Sequence, residues 1–169
     1  MATDRDKHIF GDCHPGLHDG RQSLAALAIA RGTMRLLLSI GMSSFNEVVL
    51  PSGRRADIVA LSDKGEIWIV EIKSGIDDFR TDQKWSEYLD YCDRFLFAVD
   101  GDFPSDVIPD DTGLIVADRF GGEIIRQSEI SSLAAARRKV MIIRCARAAA
   151  NRLHALLDPD ANIEAPARY

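Results

Sequence analysis

Two carboxylates and a lysine interrupt the apolar runs of the stretch from Arg55 to Lys73. Asp57 lies near the start of one Val- and Ile-rich run, and Glu71 and Lys73 lie at the end of the next. Charged side chains are rarely buried in apolar strands without partners. Carboxylate oxygens held close together bind hard cations, and a neighbouring ammonium group stabilises negative charge. This stretch is therefore the first candidate for a chemical site.

The spacing of these residues predicts a β-hairpin. The runs 56–61 and 67–72 are rich in β-branched residues and are separated by a Ser-Asp-Lys-Gly segment. A three-residue loop with Gly65 in the left-handed conformation places Asp57 directly opposite Glu71. A two-residue loop pairs Asp57 with Val70 instead and sends the two carboxylates to opposite faces. The glycine favours the three-residue loop.

The preceding run, 44–50, is predicted to add a third strand. It is joined to the hairpin by Pro-Ser-Gly-Arg, in which Gly53 suits the left-handed position of another three-residue turn. This register places Glu47 opposite Asp57. Glu47, Asp57 and Glu71 are then expected to form one row across three strands.

A row of three carboxylates requires positive charge. At a spacing of about 5 Å and an effective dielectric of about 20, each neighbouring pair repels by roughly 3 kcal/mol. Lys73 lies two residues from Glu71, on the same face of its strand, and supplies one cation. The remaining acids suit a hard metal ion such as Mg²⁺ or Mn²⁺.

The flanking sequence predicts the elements that position this site. Apolar residues at helical spacing, among them Leu24, Leu37 and Leu38, indicate a first helix packed on the core, and Trp85, Tyr88, Leu89 and Cys92 indicate a second. The elements outside the three strands are a helix from residue 19 or 20 to 40, a helix over 77–91, a strand over 94–99, an acidic loop over 100–112, a hairpin over 114–126 and a helix over 131–157.

Composition indicates one intracellular domain. A chain of 169 residues with 46% hydrophobic content is long enough for a single core. Its three cysteines are odd in number and far apart, which favours free thiols in a reducing cytoplasm, and we expect no leader or membrane span. The predicted organisation is an N-terminal arm (1–19), a domain (20–157) and a C-terminal tail (158–169).

Three further groups of residues are candidates for binding, in the N-terminal arm, in the last helix and near the start of the second helix. His8, Cys13, His14 and His18 lie close together in the N-terminal arm, but their spacing matches no zinc pattern, and a lightly packed arm is the simpler interpretation. The last helix contributes Leu133, Val140, Met141, Ile143, Leu153, Leu156 and Leu157 as its apolar side. It also carries a basic series without an acid through Asn151, namely Arg137, Arg138, Lys139, Arg144, Arg147 and Arg152.

The basic series has two interpretations, a DNA backbone contact and an ordinary solvated face. In a chain of net charge −5 it is the main electropositive stretch. Gln83 and Lys84, near the start of the second helix, are candidates for a phosphate contact or for support of the site.

Asp57, followed after thirteen residues by Glu71-Ile72-Lys73 on a hairpin, resembles the motif of the PD-(D/E)XK nuclease superfamily. The segments RRADIVAL, KGEIWIVEIKSGIDDF, DQKWSEY and CDRFLFAV, within about residues 20–130, more narrowly resemble the MmcB-like bacterial DNA repair proteins. The resemblance implies a restriction-endonuclease-like α-β-β-β-α-β core, in which helices flank a mixed sheet, extended here by a hairpin and a C-terminal helix. The chain departs from the motif at Ala56, which replaces the proline of the PD pair.

The resemblance also implies roles for the site residues. Asp57 and Glu71, joined by Glu47 and the backbone carbonyl of Ile72, are expected to hold Mg²⁺ or Mn²⁺. Lys73 is expected to orient the attacking water or stabilise the charge that develops on phosphorus-bound oxygen. Expected partners are DNA and other repair proteins. The alternative is a non-catalytic DNA-binding or partner-binding module of a repair complex, and the acidic pI of about 5.3 fits partner docking better than autonomous DNA capture.

Overall fold

The chain folds as a mixed β-sheet flanked by helices, as predicted. The structure is a computed structural model that describes residues 23–81 and 84–160. Its elements are α1 (Leu24–Ser39), β1 (Ser43–Val49), β2 (Arg55–Leu61), β3 (Ile67–Ile72), α2 (Ile76–Thr81), a 3₁₀ helix (Trp85–Tyr91), β4 (Arg94–Val99), a shorter 3₁₀ helix (Ser105–Val107), β5 (Gly113–Ala117), β6 (Gly122–Arg126) and α3 (Ala135–Leu157).

The strands follow one another across the sheet in chain order. The pairs β1/β2, β2/β3 and β5/β6 are antiparallel, whereas β3/β4 and β4/β5 are parallel. Every residue of β3 is buried, and β4 is buried from Phe95 to Val99. Strands that are covered on both faces usually have continuously apolar sequences. Glu71 is an exception, because it places a carboxylate inside a fully buried strand.

The turns confirm the predicted register. Gly53 and Gly65 have φ values of 87° and 81°, in the left-handed region that glycine adopts without strain. Val59 pairs with Ile69 as the three-residue loop requires. Because side chains alternate between the two faces of a strand, this register determines which residues can meet at the end of the hairpin.

Helix α1 covers one face of the sheet. Ser23 caps its first turn, and its buried line runs through Ile29, Gly32 and Leu37. A Cβ on Gly32 would lie 1.9 Å from the carbonyl oxygen of Asp118, so only glycine allows this close approach to the β5–β6 turn. The prediction that Leu24 and Leu38 join the core is wrong: both lie off the buried line and are exposed.

The opposite face is covered by the 3₁₀ helix and α3. The single helix predicted over 77–91 is instead the short α2 and a separate 3₁₀ helix. Side chains three residues apart eclipse in a 3₁₀ helix, so Trp85, Tyr88 and Tyr91 pack on the core while Leu89 is 44% exposed. Trp85 and Tyr88 both stack on Phe95.

The start of β4 is joined to α3 by Asp93. Its buried carboxylate accepts hydrogen bonds from the backbone N–H groups of Ile67 (2.8 Å) and Leu133 (2.9 Å) and two from Arg138 (2.7 Å each). Arg138 also donates to the carbonyl oxygen of Gly65. One carboxylate therefore joins the hairpin turn, β3, β4 and the start of α3. In residues 23–81 and 84–160 no helix is both long and apolar enough to cross a membrane.

Cys92 and Cys145 are free thiols, as predicted, and both are buried. Burial raises the pKa of Cys92 to about 12 and that of Cys145 to about 11. Neither thiol is therefore ionised at neutral pH, and both serve as packing residues. Cys13 lies outside the described residues.

Candidate active site

A pocket of about 370 Å³ opens at the C-terminal end of β3. Four elements and the segment that follows β3 contribute to its wall. The lining residues are Asp57 from β2, Glu71 and Ile72 from β3, Lys73 and Ser74 after β3, Ser23 and Ala26 at the start of α1, and Asp78 from α2. The pocket therefore contains both the acids and the lysine that the motif singles out.

Asp57 and Glu71 are locked together across the hairpin. The backbone N–H of Asp57 donates to Oε1 of Glu71 (3.2 Å), and the backbone N–H of Ile72 donates to Oδ2 of Asp57 (2.8 Å). The paired ladder of β2 and β3 reaches Ile58 and Val70. Just beyond it, each carboxylate accepts from the backbone of the opposite strand. The exchange orients both acids at the same edge of the sheet.

Burial makes the charges of this pocket costly to maintain. Glu71 and Lys73 are each 4% exposed. Burial raises the pKa of Asp57 above its ordinary value, against the hydrogen bond from Ile72 and the positive charge of Lys73, and the negative charge of Asp78 adds to the rise. A cation bound beside Asp57 would offset this rise by favouring the ionised carboxylate.

Glu47 does not join the two carboxylates, contrary to the prediction. The pairs on either side of it, Asn46 with Ile58 and Val48 with Ala56, have the predicted register. Glu47 itself has a φ of 50°, a left-handed conformation that costs about 1–3 kcal/mol for a non-glycine residue. This conformation interrupts the alternation of side chains along β1.

The carboxylate of Glu47 instead lies 3.6 Å from Nη2 of Arg55, and its side chain is not part of the pocket wall. Within residues 23–81 and 84–160, no three His, Cys, Asp or Glu side chains form a group able to hold a metal ion. The pocket wall therefore offers a cation the pair of carboxylates from Asp57 and Glu71, and its other oxygen donors are backbone oxygen, the Asp78 carboxylate and serine hydroxyls.

This donor set fits a Mg²⁺- or Mn²⁺-type ion. Mg²⁺ keeps several of its waters and is commonly bound by one or two carboxylates together with substrate phosphate. Asp57 and Glu71 supply two carboxylates, and Ile72 lines the pocket between Glu71 and Lys73. The raised pKa of Asp57 is a second indication, because a bound cation offsets the burial of a carboxylate.

The pocket also contains residues that the sequence analysis did not assign to the site. Ser23 caps α1 by accepting a hydrogen bond from Ala26 N–H (3.1 Å), and both residues line the pocket. The backbone N–H of Ser74 donates to Asp78 at 3.4 Å. In the sequence, Asp78 is recognisable only as an acid in the first turn of a helix that follows Gly75. Acids in this position commonly cap helices, so the pattern does not distinguish a capping residue from a site residue.

Several basic residues of α3 make internal contacts. Arg144 donates to the carbonyl oxygen of Val49 (3.0 Å), Arg152 donates to the side-chain oxygen of Asn46 (3.0 Å), and Arg137 donates to Asp90 (2.6 Å). Together with Arg138, these side chains attach α3 to the body of the domain. The basic series is therefore partly structural, which its sequence pattern did not reveal.

The remaining candidates lie away from the pocket or outside the described part of the chain. Lys84 is exposed at the start of the 3₁₀ helix and does not line the pocket. Gln83 and the arm residues His8, Cys13, His14 and His18 lie outside the described residues. Arg147 is exposed on α3.

The mixed sheet and the carboxylate pair beside a buried lysine are consistent with the PD-(D/E)XK class of folds. The family model described as DNA repair protein MmcB-like matches residues 13–160. The chain belongs to this MmcB-like family, and membership indicates a role in DNA repair.

A solved structure supports the fold. A protein of unknown function from Silicibacter pomeroyi is 43% identical, with a TM-score of 0.81, and the match covers 85% of this chain and 99% of that chain. A comparison with curated proteins finds no match.

Proposed function

We propose that this DNA repair protein is a metal-dependent deoxyribonuclease that hydrolyses phosphodiester bonds in the pocket of Asp57, Glu71 and Lys73. The observation that carries the proposal is that the two carboxylates each accept a hydrogen bond from the backbone of the opposite strand, beside a buried lysine. Buried acids and a buried cation that share a pocket are costly to fold, and such groups concentrate at functional sites.

The pocket residues have two roles, which are to hold a cation and to stabilise negative charge on the substrate. Asp57, Glu71 and the carbonyl oxygen of Ile72 would hold Mg²⁺ or Mn²⁺. When bound, such an ion would act as a Lewis acid and would lower the pKa of a coordinated water. Lys73 contributes a fixed ammonium group to the pocket wall, where it stabilises the negative charge that develops on the phosphate oxygens. The start of α1 adds the positive end of a helix dipole to the same wall.

A second candidate function is a DNA-binding or partner-binding module without catalysis. The observation that favours it is the lack, in residues 23–81 and 84–160, of three acidic, histidine or cysteine side chains grouped for a metal. A nuclease assay distinguishes the two functions, with single-stranded, duplex and flapped DNA in Mg²⁺, Mn²⁺ or EDTA. If the protein is a nuclease, cleavage should depend on the metal and should be lost in Asp57→Asn. Retained DNA binding with no cleavage of any substrate supports the binding module.

Divalent metal is expected to stabilise the folded wild-type protein, because a cation relieves the repulsion and burial cost of Asp57 and Glu71. At one hundred times its dissociation constant, a ligand adds about 2.7 kcal/mol to the free energy of unfolding. Thermal melts with Mn²⁺ and with EDTA measure this shift. The increase should be absent from Asp57→Asn and from Glu71→Gln.

Glu47→Gln is the matched control for the metal prediction. It removes a buried carboxylate from the neighbouring strand but leaves the pocket wall intact. Its melting temperature should therefore rise with Mn²⁺ as the wild-type value does. An equal Mn²⁺ response in all four proteins would show that the carboxylate pair does not bind the ion.

A further inference from the structure

Helix α3 is exposed over most of its length. Of its 23 residues, only Met141 and Cys145 are buried. Most of the residues predicted to form its apolar side are exposed, and Leu157 is 76% exposed and Leu153 57%. The internal contacts of its arginines hold one side of the helix against the sheet, so these apolar residues remain on the solvent side.

The exposed apolar residues form a continuous stripe. Ile143, Ala146, Ala150, Leu153 and Leu157 follow one another at alternating intervals of three and four residues, and all are exposed. We call these five residues the outer stripe of α3. This spacing is that of the contact seam between two packed helices. The two alanines at its centre would let a second helix approach closely, since the distance between helix axes depends on the side chains at the contact.

The charge around the outer stripe is positive. Helix α3 contains no Asp or Glu, although the whole chain has a net charge of −5. Lys139 and Arg147 lie four residues before and after Ile143 and are exposed. Residues four apart are neighbours on a helix surface, so these two cations border the stripe. They are positioned to meet acids on whatever helix packs against it.

We propose that the outer stripe of α3 binds an acidic amphipathic helix of another protein. Apolar side chains of such a helix would fill the stripe, and its acids would pair with Lys139 and Arg147. The outer stripe lies on α3, and no residue of α3 lines the pocket. This proposal is therefore independent of nuclease activity.

Other occupants fit the stripe less well. A second copy would bring together two helices that both lack acids, and like charges would oppose the contact. Duplex DNA binds surfaces that are polar and strongly basic, whereas this stripe is made of Ile, Leu and Ala. A bilayer is commonly engaged through Trp or Phe anchors on an amphipathic helix, and α3 has no Phe, Trp or Tyr.

The test uses the full chain and a synthetic peptide of three heptads. Each heptad has Leu at the two positions that form the helix–helix seam and Glu at the other five. Fluorescence anisotropy of the labelled peptide should show binding to the wild-type protein. The double variant Ile143→Asp with Leu153→Asp should weaken binding at least about tenfold, because it places charge in the contact. Lys139→Glu with Arg147→Glu should also weaken it, and added salt should reduce the wild-type affinity.

Two further variants separate the contact from general effects. Ala150→Gln adds bulk at the centre of the stripe without changing charge, and it should also weaken binding. Ile125→Asp changes an equally exposed apolar residue on β6 and should leave binding unchanged. Thermal melts of each variant establish that it is folded.

The proposal is overturned if the stripe variants bind the peptide as the wild type does, or if a Lys-for-Glu version of the peptide binds equally well. Light scattering that shows a dimer lost in Ile143→Asp with Leu153→Asp would identify a second copy as the occupant. Duplex DNA, or vesicles of mixed neutral and anionic phospholipid, whose binding is lost in the same double variant would identify nucleic acid or membrane instead. Each of these three results would show that the occupant of the stripe is not an acidic helix.

Discussion

Replacing Lys73 with Ala is expected to lower DNA cleavage by about 10²- to 10³-fold at saturating DNA. Its buried ammonium group is a fixed positive charge in the pocket that contains Asp57 and Glu71. Such a charge is worth most when negative charge develops on the reacting phosphate, so its loss should lower kcat more than it weakens DNA binding. Single-turnover cleavage and fluorescence anisotropy, measured on the same DNA, separate the two effects.

Lys64→Ala is the control for this experiment. Lys64 is exposed in the turn between β2 and β3 and does not line the pocket, so its removal should leave cleavage unchanged. A melting curve of Lys73→Ala shows whether the variant is folded. A folded Lys73→Ala protein that cleaves DNA at the wild-type rate would remove Lys73 from the mechanism.

Asp93→Ala is expected to lower the free energy of unfolding by about 3–5 kcal/mol. The substitution leaves Arg138 without its buried carboxylate and leaves the N–H groups of Ile67 and Leu133 without an acceptor. This loss is costly because the buried N–H donors and the partly buried guanidinium of Arg138 have given up water as well as their acceptor. Urea unfolding measures the change.

Asp90→Ala is the matched control for Asp93→Ala. Asp90 pairs with Arg137, another arginine of α3, but 64% and 53% of the two side chains are exposed. An exposed pair of this kind contributes about 0.2–1 kcal/mol. Equal destabilisation by the two substitutions would contradict the role of Asp93 in joining β3, β4 and α3.

The difference between wild type and Asp93→Ala should also depend on pH. Burial alone would raise the pKa of Asp93, but hydrogen bonds from Arg138, Leu133 and Ile67 outweigh it, and the pKa is lowered. A lowered pKa in the folded state means that the unfolded chain takes up the proton more readily. The stabilisation is therefore full above the ordinary value of about 3.9 and is lost as the pH falls through the folded pKa. Urea unfolding at pH 7 and below pH 4 should show the gap between the two proteins narrowing.

The sequence by itself determined the hairpin and the meeting of Asp57 with Glu71. Loop length, a glycine in the left-handed position and the two-residue period of a strand are local properties, and together they set the register. The strand runs and the chain order of the elements followed from the same local patterns. The sequence does not distinguish the 3₁₀ helix over Trp85–Tyr91 from an α-helix, because a period of three and a period of 3.6 residues are hard to separate over so few turns.

Only the tertiary structure decided which other groups reach the pocket. The left-handed backbone of Glu47 removes it from the carboxylate pair, and the start of α1 lines the pocket although it precedes Asp57 by more than thirty residues. Arg152 is attached to Asn46, 106 residues away, and the outer stripe of α3 is left open. Contacts between residues so distant in sequence depend on how whole elements pack, which neither periodicity nor turn chemistry specifies.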